Sequence, residues 1–462
     1  MSAGSTVIVV GGGITGLTVA HELSLKDEIR VTLIEENSRT GGKMCTVDFA
    51  GERTEAGPDS FVLRGGALEE LLSATGLLSE TVRPSPLRGF MLVRGKLRPI
   101  PPGLMMGFPK GSLLPFLKGG ILSVGGIMRA SLDLFLPATD IGEDIALGKL
   151  VTYRFGRQFK ENVIDTLVGG IMACTSDDIS TKSVVPNVYN AAARSRSLML
   201  GLRKAPTAAP QRVLSIQGGM QRISDAVLSS GRIALKKGER VEEISPAGSK
   251  WQVITSSGKM NAEAVVACIP AAETSKLIKS LPELSHELSK IESTSVGVIL
   301  LAFEKGSVAY PPGCSGFLVS PSEGRLITGC TFVSQKWHLH GSAEIIRCFV
   351  GRPAETAWQQ MGDEELISRT MEELSEIVHI NGKCIEAKVI RWKDAFPRYA
   401  VGHVERVERI RAAAPPGLYL AGASYGGVGL SACAEDALKQ THALLSYLAS
   451  KQQQEPRLQV PL

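Results

Sequence analysis

The chain opens on an apolar, β-branched run, Thr6-Val7-Ile8-Val9-Val10, that leads straight into Gly11-Gly12-Gly13-Ile14-Thr15-Gly16. A helical pattern follows through Leu17, Ala20 and Leu23. A second run, Val31-Thr32-Leu33-Ile34, ends on Glu35 and Glu36. The order is strand, glycine turn, helix, strand, acid, which is the unit that binds a dinucleotide. Its glycines let the backbone approach a pyrophosphate at a helix N-terminus, and the acid bonds a ribose hydroxyl. In a chain with 49 glycines a G-x-G-x-x-G alone says little. Here strand, helix and acid all fall in place.

The chain has 462 residues, 44% of them hydrophobic, enough for two or three cores. The net charge of +5 is modest and its basic residues are scattered, which argues against a nucleic-acid grip. The cysteines, at 45, 174, 268, 314, 330, 348, 384 and 433, show no metal-site spacing, so no metal is expected. Their scatter fits a reducing compartment, and the cytoplasm is the expected location. The N-terminal apolar run belongs to the nucleotide unit, so it does not read as a signal peptide.

Further along, residues 67–78 read as a helix, and Phe90-Met91-Leu92-Val93, Gly95 and residues 97–100 as a hairpin. Helices dominate from 104 to 200. Within them residues 113–137 are strongly apolar but broken by Lys118, Arg129 and Asp133, too broken for a spanning helix. That stretch reads as a soluble helical subdomain or as a surface that touches lipid. Residues 205–210 read as a connection, 233–235, 241–244, 251–255 and 264–268 as strands with a turn at 256–258, 363–378 as a helix, 418–422 as a buried strand and 432–449 as a helix. The tail from Lys451 reads as loose.

Two more segments carry chemistry. Arg39-Thr40-Gly41-Gly42-Lys43 reads equally as a surface turn or as a cofactor loop whose cation offsets phosphate charge. Glu55-Ala56-Gly57-Pro58-Asp59-Ser60-Phe61 reads as an ordinary turn or as a rigid wall beside a flavin ring.

These three segments, in this order, resemble the flavin-dependent superfamily of amine oxidases, phytoene desaturases and protoporphyrinogen oxidases. The Glu-x-Gly-Pro-Asp-Ser-Phe segment is similar to the porphyrinogen oxidases in particular. So are Trp392-Lys393-Asp394-Ala395-Phe396-Pro397-Arg398-Tyr399-Ala400-Val401-Gly402-His403 and Leu420-Ala421-Gly422-Ala423-Ser424-Tyr425-Gly426-Gly427-Val428-Gly429-Leu430. Leu167-Val168-Gly169-Gly170-Ile171 and Ser197-Leu198-Met199-Leu200-Gly201-Leu202-Arg203-Lys204 match in style. The resemblance spans nearly the whole chain and is strongest to the Gram-positive bacterial type, which oxidises coproporphyrinogen III as well as, or in preference to, protoporphyrinogen IX. Departures are Met172-Ala173-Cys174-Thr175 where the family often has Tyr-Ala-Gly-Asp, Arg398 where it has Gln, and Ser431-Ala432-Cys433. They put substrate choice in question more than flavin binding.

The resemblance implies an α/β fold. It has a Rossmann-like FAD-binding domain (1–60, 211–275, 384–450), an α+β substrate domain (61–90, 276–383) and an inserted helical, membrane-associated domain (91–210). It implies FAD, with residues 11–16 on the pyrophosphate and Glu35 or Glu36 on the ribose. Gly42, Lys43, Gly57, Pro58, Asp59 and Ser60 would line the flavin. Val241 matches an adenine contact but also reads as a buried strand valine, and Trp392 matches a flavin neighbour but also reads as a core tryptophan. Val428, Gly429 and Leu430 fit the helix N-terminus at the pyrimidine end, where N–H groups stabilise negative charge. His403 reads as structural. The implied reaction is a six-electron oxidation of a porphyrinogen by successive hydride transfers, with oxygen reduced to hydrogen peroxide. No catalytic triad or carboxylate dyad is expected, because the chemistry belongs to the flavin, and which side chains assist it stays open. Arg64, then Arg88 and Arg398, are the candidates for propionate contacts. The expected partners are the porphyrinogen, oxygen and a membrane surface, with a monomer or homodimer both open. The alternatives are an amine oxidase, for which Cys433 keeps covalent flavin open, a carotenoid desaturase, and a non-catalytic flavoprotein.

Overall fold

A computed structural model describes residues 4–102, 104–105, 107–109, 112–204, 212–337, 339, 341–353 and 355–454. The N-terminal β-branched run forms strand Ser5–Val10 at the centre of a five-stranded parallel sheet. The order is Ile233–Lys237, Ile29–Glu35, Ser5–Val10, Ala264–Ala267, Leu418–Leu420. Parallel strands are covered on both faces, and the period of two sorts their side chains accordingly. Val7, Val9, Val31, Leu33 and Val266 enter a core against helices Ile14–Ser24, Ala67–Ala74, Gln221–Leu228 and Leu430–Gln454. Ile8, Val10, Ile34, Val265 and Ala267 enter another, under the antiparallel strands Val241–Ala247, Lys250–Thr255 and Gly258–Ala262. Each fully buried aliphatic side chain contributes about 1.5–3 kcal/mol.

A seven-stranded sheet forms the second body. Its order is Cys384–Pro397, Ser293–Glu304, Ala343–Val350, Ile327–Phe332, Cys314–Val319, Arg88–Val93, Lys96–Pro99. The last two strands are the expected hairpin. Arg94 at φ 56° and Gly95 at φ 66° turn it, the left-handed pair that a two-residue hairpin loop requires. Helix Asp363–Ile377 covers one face through Leu366 and Leu374.

Helices build the third body around Phe116, Phe155, Phe159 and Leu150. Asp133, fully buried, holds it together. It accepts from Leu198 N (3.1 Å), Met199 N (2.9 Å) and Ser197 Oγ (2.6 Å), and so caps helix Leu198–Lys204. Arg154, equally buried, lies 3.5 Å from it. Among the described residues no helix is long and apolar enough to cross a membrane.

Several boundaries differ from the sequence reading. Gly76, at φ 75°, stops the helix expected over 67–78 at Ala74, and a 3₁₀ turn, Leu77–Glu80, follows. Strand Gly258–Ala262 was not expected, because its polar residues face solvent and only its ladder to Lys250–Thr255 defines it. Phe61, Leu63, Leu68 and Leu71 pack in the nucleotide core, so 61–80 does not group with the seven-stranded sheet. That sheet instead takes strand Cys384–Pro397, which pairs with Ser293–Glu304, and the whole of Arg88–Val93. The last helix runs on to Gln454, with Lys451 Nζ donating to the Ser249 carbonyl at 2.6 Å, so residues 451–454 of the expected loose tail are helical, and 455–462 lie outside the described residues. The connection at 205–210 lies outside the described residues.

Candidate cofactor and substrate site

The glycine turn sits at the carboxyl edge of the parallel sheet. Gly11 N–H donates to the Ile34 carbonyl at 2.8 Å, tying the turn to the neighbouring strand. A Cβ on Gly16 would fall on the Gly11 carbonyl oxygen, so only glycine lets helix Ile14–Ser24 start this close to the strand. Gly13 caps that helix with no side-chain bond and open space beside it, and the first turn, with Ile14 and Thr15, carries no acid. Its free N–H groups and dipole are left for an anion.

The two acids part company. Glu35 is buried and turns toward the loop, where Oε2 accepts from Gly12 N at 2.8 Å and Oε1 from Asn37 N at 2.9 Å. Glu36 points to solvent and pairs with Arg240 at 2.7 Å. Val241, one residue on, is buried with Ile8, Val10 and Ile34 near the strand ends.

The second segment lies against the first. Gly41 N donates to Gly12 O at 2.7 Å, and a side chain on Gly42 would meet Gly13 Cα at 3.1 Å. Arg39 is spent on backbone carbonyls, those of Thr40 (3.2 Å), Met44 (3.1 Å) and Gly42 (2.5 Å). Lys43 is the cation left over. It makes no ion pair among the described residues and is open to solvent, yet protein surrounds it. Lost hydration lowers its ammonium pKa, with Cys433 and Asp394 opposing. An accessible group with so little bulk water around it lines a cleft.

The third segment forms the next wall. Gly57 packs directly on the Lys43 carbonyl, where a Cβ would overlap it. Trp392 Nε1 donates to Ala56 O at 2.8 Å, and Arg347 Nη2 donates to Gly57 O at 2.6 Å. After Pro58, Asp59 accepts from Lys336 Nζ (2.9 Å), Trp337 Nε1 (3.2 Å) and Ser60 Oγ (3.0 Å). Burial would raise the Asp59 pKa, but Lys336 and Arg347 outweigh it and hold the carboxyl well below its usual range. Glu55 behaves oppositely. Burial pushes it up to about 7, and the hydrogen bonds from Met220 N (2.7 Å) and Thr46 (3.0 Å) offset only part of this.

The C-terminal turn closes the cleft. Val428 packs on the helical core and Leu430 on the nucleotide core, with Gly429 between them at φ 109°. Helix Leu430–Gln454 starts there and lies along helix Ile14–Ser24, so two helix N-termini converge. A side chain at Gly422 would come within 3.0 Å of Thr15 Oγ1. Cys433 is buried in the first turn with its thiol toward Gly427 O at 3.6 Å, and burial raises its pKa to about 11. Tyr399 donates to Ala423 O and stacks on His403 at 4.3 Å. Burial lowers His403 to about 4, so it stays neutral and packs.

Of the three candidate arginines, Arg64 is exposed beside the 57–60 turn, and Arg88 is exposed on the strand next to the sheet edge. Arg398 is partly buried and paired with Glu292. Sequence reasoning quoted Glu55 in the third segment without giving it a role, and passed over Lys336, Trp337 and Arg347. An arginine inside the apolar strand Ala343–Val350 was the one available signal.

Two glycine loops, a rigid turn and two helix N-termini around one cleft define an FAD-dependent oxidoreductase. Residues 14–442 match the family described as flavin containing amine oxidoreductase, and the chain belongs to it. It is 32% identical to the coproporphyrinogen III oxidase of Bacillus subtilis (strain 168), over 96% of this chain and 98% of that protein. It is 28% identical to the coproporphyrinogen III oxidase of Mycobacterium leprae (strain TN), over 96% and 98%. A solved structure from Exiguobacterium sp. 255-15, provisionally named a protoporphyrinogen oxidase, superposes with a TM-score of 0.85 at 30% identity, covering 97% of this chain and 100% of that one.

Proposed function

We propose that this chain oxidises a porphyrinogen, with coproporphyrinogen III the first candidate, to the porphyrin in haem biosynthesis. The observation that carries the reading is the near full-length similarity to a named coproporphyrinogen III oxidase. FAD, when bound, supplies the two-electron acceptor, so three rounds remove six electrons and reduce three molecules of oxygen to hydrogen peroxide. Free N–H groups at the 11–16 turn would hold the pyrophosphate, and Glu35 rather than Glu36 the ribose, because only Glu35 faces the turn. Val241 would lie at the adenine end. Lys43, Gly42, residues 57–60, Trp392 and residues 428–430 would surround the flavin, and their packing excludes bulk water from it. Cys433, turned inward and protonated, is a poor partner for a covalent flavin link. Arg64, exposed and without an ion pair among the described residues, would pair with a propionate, and Arg88 is the second choice. Arg398 already neutralises Glu292.

The helical body would also touch a membrane surface. Val124, Met128, Leu132 and Phe135 recur at helical spacing and are 64, 67, 46 and 75% exposed. Lys118, exposed before them, is the cation offered to an anionic bilayer, while Arg129 is taken up by the carbonyls of Thr152, Tyr153 and Arg154. Cosedimentation with phosphatidylglycerol vesicles that fails with phosphatidylcholine vesicles would support this contact, and no cosedimentation with either would remove it.

The test of the main reading is porphyrin fluorescence from each porphyrinogen under air, corrected for spontaneous oxidation, with peroxide measured in parallel. FAD-dependent growth with coproporphyrinogen III is expected. A yellow protein inert on both porphyrinogens would overturn the assignment in favour of an amine oxidase or a non-catalytic flavoprotein.

A further inference from the structure

Behind the 57–60 turn lies a group of charges that the reading above leaves without a task. Arg347 enters from the apolar strand Ala343–Val350 and is 3% exposed. Its Nη2 is satisfied by Gly57 O, but Nη1 lies 3.7 Å from Asp59, beyond hydrogen-bond reach. Nε and Nη1 have no hydrogen-bond partner. Lys336 shares the same Asp59 carboxylate at 2.9 Å. Two cations therefore face one anion. Among the described residues the other carboxyl that feels both Arg347 and Asp59 is Glu55, whose Oε1 takes both its hydrogen bonds, from neutral donors. Its Oε2 is buried and unpartnered. A buried carboxylate oxygen without a donor is costly to keep ionised, and a proton there removes the cost. With Glu55 neutral the group carries one positive charge in excess. With Glu55 ionised it carries none.

We infer that the Arg347–Lys336–Asp59 group is a positioning device for the electrons of the flavin, favouring its reduced, anionic form, and that Glu55 turns this bias off on ionisation. The inference rests on the reading that residues 57–60 line the flavin. In a buried setting an unbalanced charge acts across a turn with little screening. The groups that face Glu55 are Thr46 and Cys45 from its hairpin, the Met220 N–H from the loop before helix Gln221–Leu228, Arg347 from the large sheet, and Asp59 on its own segment. Burial places the Glu55 transition near neutrality. Below it the bias toward reduced flavin is present, and above it the bias is lost.

The test is an anaerobic reductive titration of the FAD-loaded protein against a reference dye at pH 6 and pH 8. It compares the wild type with Glu55→Gln and Arg347→Gln and records Tm for each. The flavin's own protonation is common to all three and cancels in the comparison. At pH 8 Glu55→Gln is expected to favour reduced flavin about tenfold more than the wild type, roughly 30 mV for a two-electron couple. At pH 6 the two should coincide. Arg347→Gln should shift tenfold the other way at pH 6. Arg347→Gln empties a buried site and can fail to fold, so the isosteric Glu55→Gln decides. Potentials of Glu55→Gln and wild type that run parallel from pH 6 to pH 8 would overturn the inference. A chain that binds no flavin at all is a separate result, seen as a colourless protein, and it overturns the proposed function and this inference with it.

Discussion

Asp133→Asn should loosen the helical body while leaving the flavin half intact. The wild-type carboxylate uses both oxygens, one toward Leu198 N and the other toward Ser197 Oγ and Met199 N, with Arg154 at 3.5 Å. An amide replaces one of these oxygens by a donor that faces another donor, and it strips Arg154 of its one ion-pair partner among the described residues, in a fully buried place. Removing one member of a buried pair costs about 3–5 kcal/mol. At 1.4 kcal/mol per decade, amide exchange by local opening should accelerate by roughly two to three and a half decades. Hydrogen exchange followed by mass spectrometry should locate the change in helices Val124–Ser131, Leu147–Phe155 and Leu198–Lys204. Exchange in Ile14–Ser24 and FAD content should stay as they were. The double change Asp133→Asn with Arg154→Met should recover part of the loss, because no buried charge is then left over. Unchanged exchange in the three helices of the single variant would refute the reasoning.

Three further outcomes follow from the geometry. Gly16→Ala forces the new methyl onto the Gly11 carbonyl, so the Kd for FAD should rise by about tenfold or more in a flavin-fluorescence titration. His403 is held near 4 in the fold against about 6.5 unfolded, so the stability it contributes is complete above pH 6.5 and is lost as pH falls toward 4. Denaturant melts at pH 7.5 and 4.5 should differ by up to about 3 kcal/mol more in the wild type than in His403→Asn. Arg64→Ala should raise KM for the porphyrinogen about tenfold with FAD content unchanged, and an unaltered KM would take Arg64 out of the substrate site.

Local features were legible in the sequence, and pairwise ones were not. The strand, turn and helix over residues 5–24 follow from neighbours in the chain, as does the hairpin at Arg94-Gly95. The choice between Glu35 and Glu36 needed the third dimension, because Glu35 ends the strand facing the turn and Glu36, just past its end, faces solvent. Strand Cys384–Pro397 was assigned to the wrong body because its mixed, half-exposed pattern belongs to an edge, and its one partner lies some 90 residues earlier. The Asp59 group was hidden for the same reason. Lys336 is an ordinary cation in the sequence and Arg347 gives only the hint of an arginine in an apolar strand, and it takes the packing around the 57–60 turn to bring both onto Asp59.

The parallel sheet ends on strand Leu418–Leu420, and the helix that lies along Ile14–Ser24 starts only at Leu430. During synthesis, therefore, the first glycine turn emerges hundreds of residues before the helix end that faces it. A chain released early would carry the loop without the opposing N–H groups, and its cleft would have an open side. Tight flavin binding would thus report that translation has passed helix Leu430–Gln454.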